Sequence, residues 1–517
     1  MDKSKEKNMF EYHAAFIFLP ITKSSHLFTA MPLAPALLKG ICDSHGLKTT
    51  TIDLDIELKH ERQKKYFNTE IEKYLMFFHP MSEEAYDWYH NWVEKTARRL
   101  IKMNCNWLGL SLLSYQSLAF AQDICFWIKK LKPTQKIILG GAGISQDDNT
   151  GKTYKNNKKM SDIMLETGLC DTVIINESEN LLIDVLLQNR KGKLDSKRQL
   201  SQAELNQLPT PSYIDYKIDL YGQNESNFKL EKHIAAATIT GSKGCVRRCT
   251  FCDVFTFEPK FVFKDGRKIA DEMIEIYETQ GIKSFHFSDS LINGSMKAFR
   301  QMNEHLVKKL PKTISYLGEY IARPIGQTTD EDYHLMAEAG CKHVVVGVES
   351  GSEQVRNHMK KKFTNNDLFH MIESLYKVGI TQQWNLMVGY VTETRKDFEE
   401  TLNLVQRYKH IKYPNILANP GNILSLLPGT PLADTHARQL EIEWEDVKEG
   451  VGMMGSVWKS PKNPENTFEN RIKWWLELIE LCKENNFITP QRYENKKAMA
   501  KMMLLHWNQT KKKNAYS

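Results

Sequence analysis

Apolar residues in the first part of the chain come in short unbroken runs. The stretches between them repeat their apolar positions every three or four residues. Ala14–Pro20 (AAFIFLP), Thr49–Leu54 (TTTIDL), Trp107–Leu113 (WLGLSLL), Lys136–Gly141 (KIILGG) and Thr172–Asn176 (TVIIN) are the runs, and they predict strands. Ala36–His45 and Leu118–Leu131 carry the helical period between them. Strands that are apolar on both sides and alternate with helices predict a parallel sheet covered on both faces. The expectation is a doubly wound, Rossmann-like α/β domain over residues 1–190. Residues at about 57–103, rich in Tyr, Trp, His and charge, interrupt the rhythm and predict an inserted helical hairpin.

From Lys191 to Lys232 the chain turns polar around Pro209-Thr210-Pro211, which predicts a linker over 191–232. A second alternating series follows. Its strand candidates are Ala235–Thr240, Ser284–Phe287, Ile314–Tyr320, His343–Val348, Trp384–Val388 and Ile423–Leu427. Helical patterns lie between them at Ile269–Thr279, Lys297–Leu310, Glu331–Glu338, Asp367–Val378 and Asp397–Lys409. Six strand–helix units predict a (β/α)6 partial TIM barrel over 233–440. Residues 441–517 are helical and aromatic (Trp444, Trp458, Trp474, Trp475, Trp507), and their tryptophans read as helix core.

Composition narrows the class. Of 517 residues, 41% are hydrophobic and 26% charged, which excludes a disordered or fibrous protein. The formal charge of +7 is a mild excess that a solvated surface with a lysine tail (Lys511–Lys513) accounts for, so nucleic acid is not indicated. There is no run of about 18 apolar residues, so no membrane span is expected. Met1–Asn8 lacks the apolar core of a signal peptide, and a cytoplasmic location is expected. Nine cysteines are too sparse for a disulfide scaffold; three of them, Cys245, Cys249 and Cys252, crowd together while the other six stand singly.

The crowded stretch is Gly241–Asp253, GSKGCVRRCTFCD, with the spacing Cys-x3-Cys-x2-Cys. Closed zinc sites use four protein ligands and paired Cys-x2-Cys knuckles, so three thiolates fit them poorly. A [4Fe–4S] cubane normally takes four thiolates, and three would leave one iron open to a non-protein ligand. The loop follows a strand, which places it at the C-terminal mouth of the barrel, where active sites are built. Arg247 and Arg248 lie between the ligands and would offset an anionic cluster.

Cys245-x3-Cys249-x-Phe251-Cys252 resembles the signature of the radical S-adenosylmethionine (SAM) superfamily. The resemblance implies that SAM chelates the open iron and that one electron cleaves it to a 5′-deoxyadenosyl radical. It implies further that Phe251 packs near the adenine. Phe287-Ser-Asp-Ser290 with Asn293 stands where the family carries a polar motif for the SAM amino group, which makes Asp289 the equivalent residue. Arg323 resembles the basic residue near the SAM carboxylate. Gly347-Val-Glu-Ser-Gly-Ser352 is similar to the GxESG strand of one large branch and assigns Glu349 and Ser350 to SAM polar groups. Gly389-Tyr-Val-Thr-Glu393 is similar to the GxPGET turn, and Leu427-Pro-Gly-Thr-Pro431 to the PGTP segment. Taken singly, Glu349 also reads as a buried partner for Arg323, and Asp289 as a cap for the following helix.

The first half resembles the cobalamin-binding domain of the class B branch. Pro32-Leu-Ala-Pro35, Ile52-Asp53-Leu54-Asp55, Gly109–Ser114, Leu139-Gly-Gly-Ala-Gly143 and Glu177-Ser-Glu179 carry that resemblance. It implies that Ser111, Ser114, Gly140, Gly141 and Gly143 let a corrin ring approach the backbone. The Asp-x-His-x-x-Gly motif that supplies a lower histidine ligand in other cobalamin proteins is absent. The expected function is a cobalamin-dependent methyltransferase acting on an unactivated carbon of a small-molecule or peptide substrate, reduced by a flavodoxin or ferredoxin. The alternatives are a radical SAM oxidation, cyclisation or rearrangement with a cobalamin-free first domain, and a non-catalytic iron–sulfur electron-transfer module.

Overall fold

The computed structural model describes residues 10–21, 30–149, 158–196, 199–221, 235–310, 312–411, 414–421, 423–427, 429–444 and 456–514. The chain divides into two compact units. One is drawn from Met1–Ser226, Glu231–Ile239 and Asp271–Phe285, the other from Asn227–Leu230, Thr240–Ala270 and His286–Ser517.

The strands of the first part are β1 (Tyr12–Phe18), β2 (Ala30–Met31), β3 (Thr49–Asp53), β4 (Cys105–Ser111), β5 (Lys136–Gly140), β6 (Thr172–Ile175) and β7 (Gly192–Asp195). All but β2 form one six-stranded sheet, order β3-β1-β4-β5-β6-β7, with every pair parallel. Alternate residues serve opposite faces. Ala15, Ile17, Leu108, Leu110, Ile137, Leu139, Val173 and Ile175 enter one apolar core, whereas Ala14, Phe16, Trp107, Ile138 and Ile174 enter another. A sheet buried on both faces needs apolar side chains on both, which is why its strands read as unbroken runs.

The expected insertion is helical, with helices Asn68–Phe77 and Glu83–Lys102. Ile71, Leu75, Ala85, Tyr89, Val93, Ala97 and Leu100 join the first of the two cores. The Tyr74 and Tyr89 hydroxyls donate to Asp123 at 2.8 and 2.9 Å, which fixes the insertion to helix Leu118–Leu131.

β7 lies inside the segment expected to be a linker. Its sequence, GKLD, is half polar because it is an edge strand paired on one side only.

The later strands are β8 (Ala236–Ile239), the short antiparallel pair β9 (Ser242–Lys243) and β10 (Val262–Phe263), β11 (Ser284–Phe287), β12 (Ser315–Tyr320), β13 (Cys341–Glu349), β14 (Thr381–Leu386) and β15 (Ile416–Asn419). The second large sheet has the order β15-β14-β13-β12-β11-β8-β2. Helices Gly266–Gln280, Met296–Lys309, Asp330–Glu338, Asn365–Lys377 and Arg395–Arg407 alternate with its strands, as a partial barrel requires.

Five of the six barrel strands fall where the apolar runs predict them. The sixth is Ile416–Asn419 and not Ile423–Leu427. The Pro420–Gly421 break precedes that second run, which among the described residues makes an isolated bridge, Val388 to Ile423. Two long helices, Phe468–Glu484 and Pro490–Asn514, complete the C-terminal part; Trp474 and Trp475 are buried on the first and Trp507 on the second. Among the described residues no helix is long and apolar enough to cross a membrane.

Gly141 shows how tightly the ends of β4 and β5 are knitted. Its φ is +105°, and a Cβ there would lie 2.5 Å from the Leu112 carbonyl oxygen. Gly140, by contrast, has only the Ile174 carbonyl oxygen within reach, at 3.8 Å. Gly141→Ala is therefore expected to cost about 2 kcal/mol or more, and Gly140→Ala to stay within about 1 kcal/mol. Urea unfolding of the full chain checks the contrast, and equal midpoints for the two variants would contradict it.

Candidate functional site

The C-terminal ends of the barrel strands carry the residues singled out by sequence. The cysteine loop follows β8 and β9, Asp289 follows β11, Arg323 follows β12, Glu349 ends β13, and Gly389–Glu393 follow β14.

The base of the cysteine loop rests on Asp289. Its carboxylate accepts from the Gly241 N–H at 2.8 Å and the Ser242 hydroxyl at 2.6 Å. Burial lifts the Asp289 carboxyl to about 7, against the Ser242 hydroxyl and the Gly241 N–H, which favour the ionised form. Asp289 does not cap the next helix, because Ser295 does that through the Ala298 N–H.

The middle of the loop is pinned on two sides. The Thr250 N–H donates to Met359 O at 3.1 Å, and the Leu432 N–H donates to Thr250 O at 2.8 Å. The Thr250 hydroxyl shares a hydrogen bond of 2.7 Å with Tyr390 OH, which meets His358 Nδ1 at 2.9 Å. These contacts bring the Gly389–Glu393 turn and the segment after Gly429 against the cysteines. Pro428 of the Leu427–Pro431 segment lies outside the described residues.

Cys249 is buried, and Cys245 and Cys252 are partly exposed. Burial pushes the Cys249 thiol up to about 11, with Lys361 the main opposing influence and Cys252 and Cys245 adding to the rise. Burial likewise raises Cys252, against a Val254 N–H that favours its thiolate. The three thiols therefore feel one another, yet among the described residues no three Cys, His, Asp or Glu converge on a single-ion position. Three thiols on one short loop with the spacing Cys-x3-Cys-x2-Cys suit a cluster with one open iron better than a closed four-ligand zinc site. Arg247 lies half-buried beside this set; burial lowers its pKa while Cys249 and Cys245 favour its charge. Arg248 turns outward and donates to Pro259 O.

Phe251 packs on an apolar cluster that includes Met359, Tyr390 and Leu432, with Lys361 Nζ 5.8 Å from its ring centre. Glu349 pairs with Lys361 at 2.9 Å and not with Arg323. Arg323 donates to the carbonyls of Asn293 and Gly294, while its buried Nε has no partner among the described residues. Burial, then repulsion from Arg247, lowers its pKa. Ser350 is fully buried; it accepts from the Ser352 N–H at 3.1 Å and meets the Thr401 hydroxyl at 3.3 Å, so it packs toward helix Arg395–Arg407. Glu319, on β12, is lifted to about 7 by burial and then by the charge of Glu349.

Lys361 escaped the sequence reading because Lys360–Lys362 looks like a solvated charge run. The only signal of its burial was the Met359 and Phe363 on either side.

In the first unit, Ser111 ends β4 buried, and its carbonyl accepts from the Leu19 N–H at 3.0 Å. The Ser114 hydroxyl accepts from the Gln116 N–H at 3.1 Å. A Cβ on Gly143 would lie 2.4 Å from the Ser114 carbonyl oxygen, so Gly143, like Gly141, is held small by the chain itself. Gly140 ends β5 with free space around it, and Leu113 and Tyr115, 43% and 49% exposed, follow the end of the neighbouring strand β4. An open glycine beside two exposed apolar side chains at the carboxyl end of a parallel sheet fits a flat, largely apolar ligand. Asp53, by contrast, is spent internally, capping helix Leu54–Arg62 and accepting from Tyr221 OH at 2.5 Å. The Leu200 N–H donates to Glu177 at 2.6 Å.

Comparisons with known proteins agree with this layout. The family described as Radical SAM superfamily matches residues 239–405. A threonylcarbamoyladenosine tRNA methylthiotransferase of Drosophila pseudoobscura pseudoobscura is 27% identical over 218 residues, 40% of this chain and 37% of that protein. The chain thus spans well under half the length of that relative. Among solved structures, the radical SAM methyltransferase TsrM from Kitasatospora setae, with cobalamin and a [4Fe-4S] cluster bound, has a TM-score of 0.54 at 14% identity, covering 84% of this chain and 81% of TsrM. The cobalamin-dependent SAM radical enzyme OxsB, with aqua-cobalamin and SAM bound, has a TM-score of 0.60 at 14% identity, covering 96% of this chain and 72% of OxsB. At such identities these likenesses establish the fold.

Glu393 gives the site a pH signature. It is fully buried and accepts from the Gly389 N–H, and burial pushes its carboxyl up to about 8. A carboxyl whose folded pKa lies above its unfolded value of about 4.3 favours folding below that value. That stability is lost as pH rises towards the folded pKa. Glu393→Gln keeps the acceptor and removes the ionisation, so it should match the parent at pH 4 and become the more stable of the two by pH 8. Thermal unfolding at the two pH values checks this, and a constant difference would contradict it.

Proposed function

We propose that the chain, whose residues 239–405 match the family described as Radical SAM superfamily, is a cobalamin-dependent methyltransferase acting on an unactivated carbon. The observation that carries this reading is the doubly wound unit accompanying the three-cysteine barrel, in a fold shared with TsrM and OxsB over most of the chain. When bound, the cluster supplies the electron that cleaves SAM, and cobalamin supplies the methyl group.

Cys245, Cys249 and Cys252 would hold the cluster and leave one iron without a protein ligand. Phe251, Arg323 and the Glu349–Lys361 pair surround the loop and would meet SAM. Asp289 and Ser350 would act one layer behind, Asp289 by fixing the loop base and Ser350 by anchoring the end of β13. Ser111, Ser114 and Gly140 would face the corrin, with Leu113 and Tyr115 supplying apolar surface, while Gly141 and Gly143 serve the packing that shapes that edge. A flavodoxin or ferredoxin would deliver the electron, and the substrate would be a small molecule or a peptide.

The methylthiotransferase named among the relatives gives a second reading, since methylthio transfer differs by one sulfur atom. That sulfur needs a donor. The remaining cysteines, Cys42, Cys105, Cys125, Cys170, Cys341 and Cys482, stand singly in the sequence and are each buried. This weighs toward methyl transfer.

Anaerobic production with cobalamin supplied, followed by iron, sulfide and corrinoid analysis, tests the proposal. We expect about four irons, as a cubane contains, and near-stoichiometric corrinoid. Cys→Ala at any of the three cysteines should abolish 5′-deoxyadenosine formation with dithionite. Four irons without corrinoid after reconstitution would contradict the cobalamin assignment and leave radical SAM chemistry of another type. Retained 5′-deoxyadenosine in a cysteine variant would contradict the cluster assignment.

A further inference from the structure

We propose that Lys361, seated on Glu349, is a fixed charge that sets the reduction potential of the cluster held by Cys245, Cys249 and Cys252. The inference rests on the cluster assignment above.

The backbone is distorted at several points to make this one ion pair. Lys361 is the middle residue of a lysine run, yet it is only 6% exposed, whereas Lys360 and Lys362 are exposed. Those two flanking residues have φ of +62° and +59°, left-handed values that bulky side chains rarely adopt, and between them Lys361 turns inward. Glu349 has φ of +64°, at a register shift in the pairing of β13 with β14. Gly347 completes the arrangement, because a Cβ there would lie 2.7 Å from both Glu349 Oε1 and Lys361 Nζ. Lys361 Nζ donates to Glu349 Oε1 and to Gly347 O, each at 2.9 Å.

Stability alone gives no reason for this arrangement. Burying two charges costs several kcal/mol per ion before their attraction is counted, and left-handed non-glycine residues cost about 1–3 kcal/mol each. Strain gathered around one buried pair points to a use for the pair. The direction of that use follows from its neighbours. Lys361 is held as a cation by its ion pair with Glu349, and its Nζ stands 5.8 Å from the centre of the Phe251 ring, the side chain that lies between Cys249 and Cys252 in the loop.

Reduction of a [4Fe–4S]2+ cluster to the 1+ state adds one electron from an external reductant and moves no proton. A nearby cation favours the more negative product and a nearby anion disfavours it, both strongly where solvent is excluded. Lys361 therefore raises the potential, and Glu349 holds back part of that effect.

The test is a redox titration followed by electron paramagnetic resonance. It uses anaerobically reconstituted full-length wild type, Lys361→Met, Lys361→Arg and Glu349→Gln, with dithionite as reductant and no SAM. Lys361→Met should make reduction at least tenfold less favourable, a shift of about 59 mV to more negative potential for a one-electron couple. Glu349→Gln should shift it to more positive potential, and Lys361→Arg should stay near wild type. A purely structural role would lower cluster occupancy or melting temperature without opposite signs for the two charges. If Lys361→Met fails to assemble, the sign of Glu349→Gln against wild type decides. Unchanged or same-direction shifts in iron-loaded variants overturn this inference alone, whereas a wild-type chain that takes up no iron overturns the cluster assignment with it.

Discussion

Everything at the barrel mouth depends on keeping a short cysteine loop in one conformation while its three thiols remain unpaired with one another. The interaction that achieves this is the grip of Asp289 on the Gly241 N–H and the Ser242 hydroxyl at the point where the chain leaves β8. A carboxylate with no access to solvent is a poor place to keep a charge, and its raised pKa expresses that cost. Two short hydrogen bonds in a low-dielectric setting are correspondingly strong. From this base the loop reaches Met359, Tyr390 and Leu432, so the ends of several strand–helix units fix its path. A site assembled from separate strand ends can tune each residue by its own environment, which is the general advantage of the barrel mouth.

The two sheets use the same strand grammar for different ends. In the six-stranded sheet both faces are packed, and little polar chemistry is left except at the carboxyl edge, where Gly140, Leu113 and Tyr115 stay accessible. In the barrel, one side of β12 packs on the helix Met296–Lys309: Tyr316 on Asn303 and Tyr320 on Phe299. Glu319 alternates with these on β12, and burial and then the charge of Glu349 at the end of β13 raise its carboxyl. Charge inside a barrel is expensive, and Lys361 offsets part of it directly.

Much of the fold was legible because the periods were clean. Unbroken apolar runs located β1, β3, β4, β5 and β6, and the helix Leu118–Leu131 matches its pattern residue for residue. Several strands were not legible, β7 and β15 among them. β7 is polar because only one edge is paired, and β15 is four residues closed by Pro420, next to a longer apolar run that attracts the reading. The cysteines were legible from spacing alone. The surroundings were less so, since side-chain direction is set by backbone features that leave little trace in sequence. Ser350 packs toward Thr401, Glu349 turns to Lys361 through a left-handed residue, and Gly141 and Gly143 are consumed by neighbouring carbonyls. Residue types told which chemistry was present, and the strand ends decided which groups could reach it.

The claim on which the account turns is that three thiolates hold a four-iron cluster with one iron left open for SAM. Mössbauer spectroscopy of the full-length protein reconstituted with 57Fe, before and after SAM is added, tests it most directly. The account predicts that SAM changes the isomer shift of one iron in four and leaves the other three unaltered. Four irons that remain equivalent in the presence of SAM would contradict it.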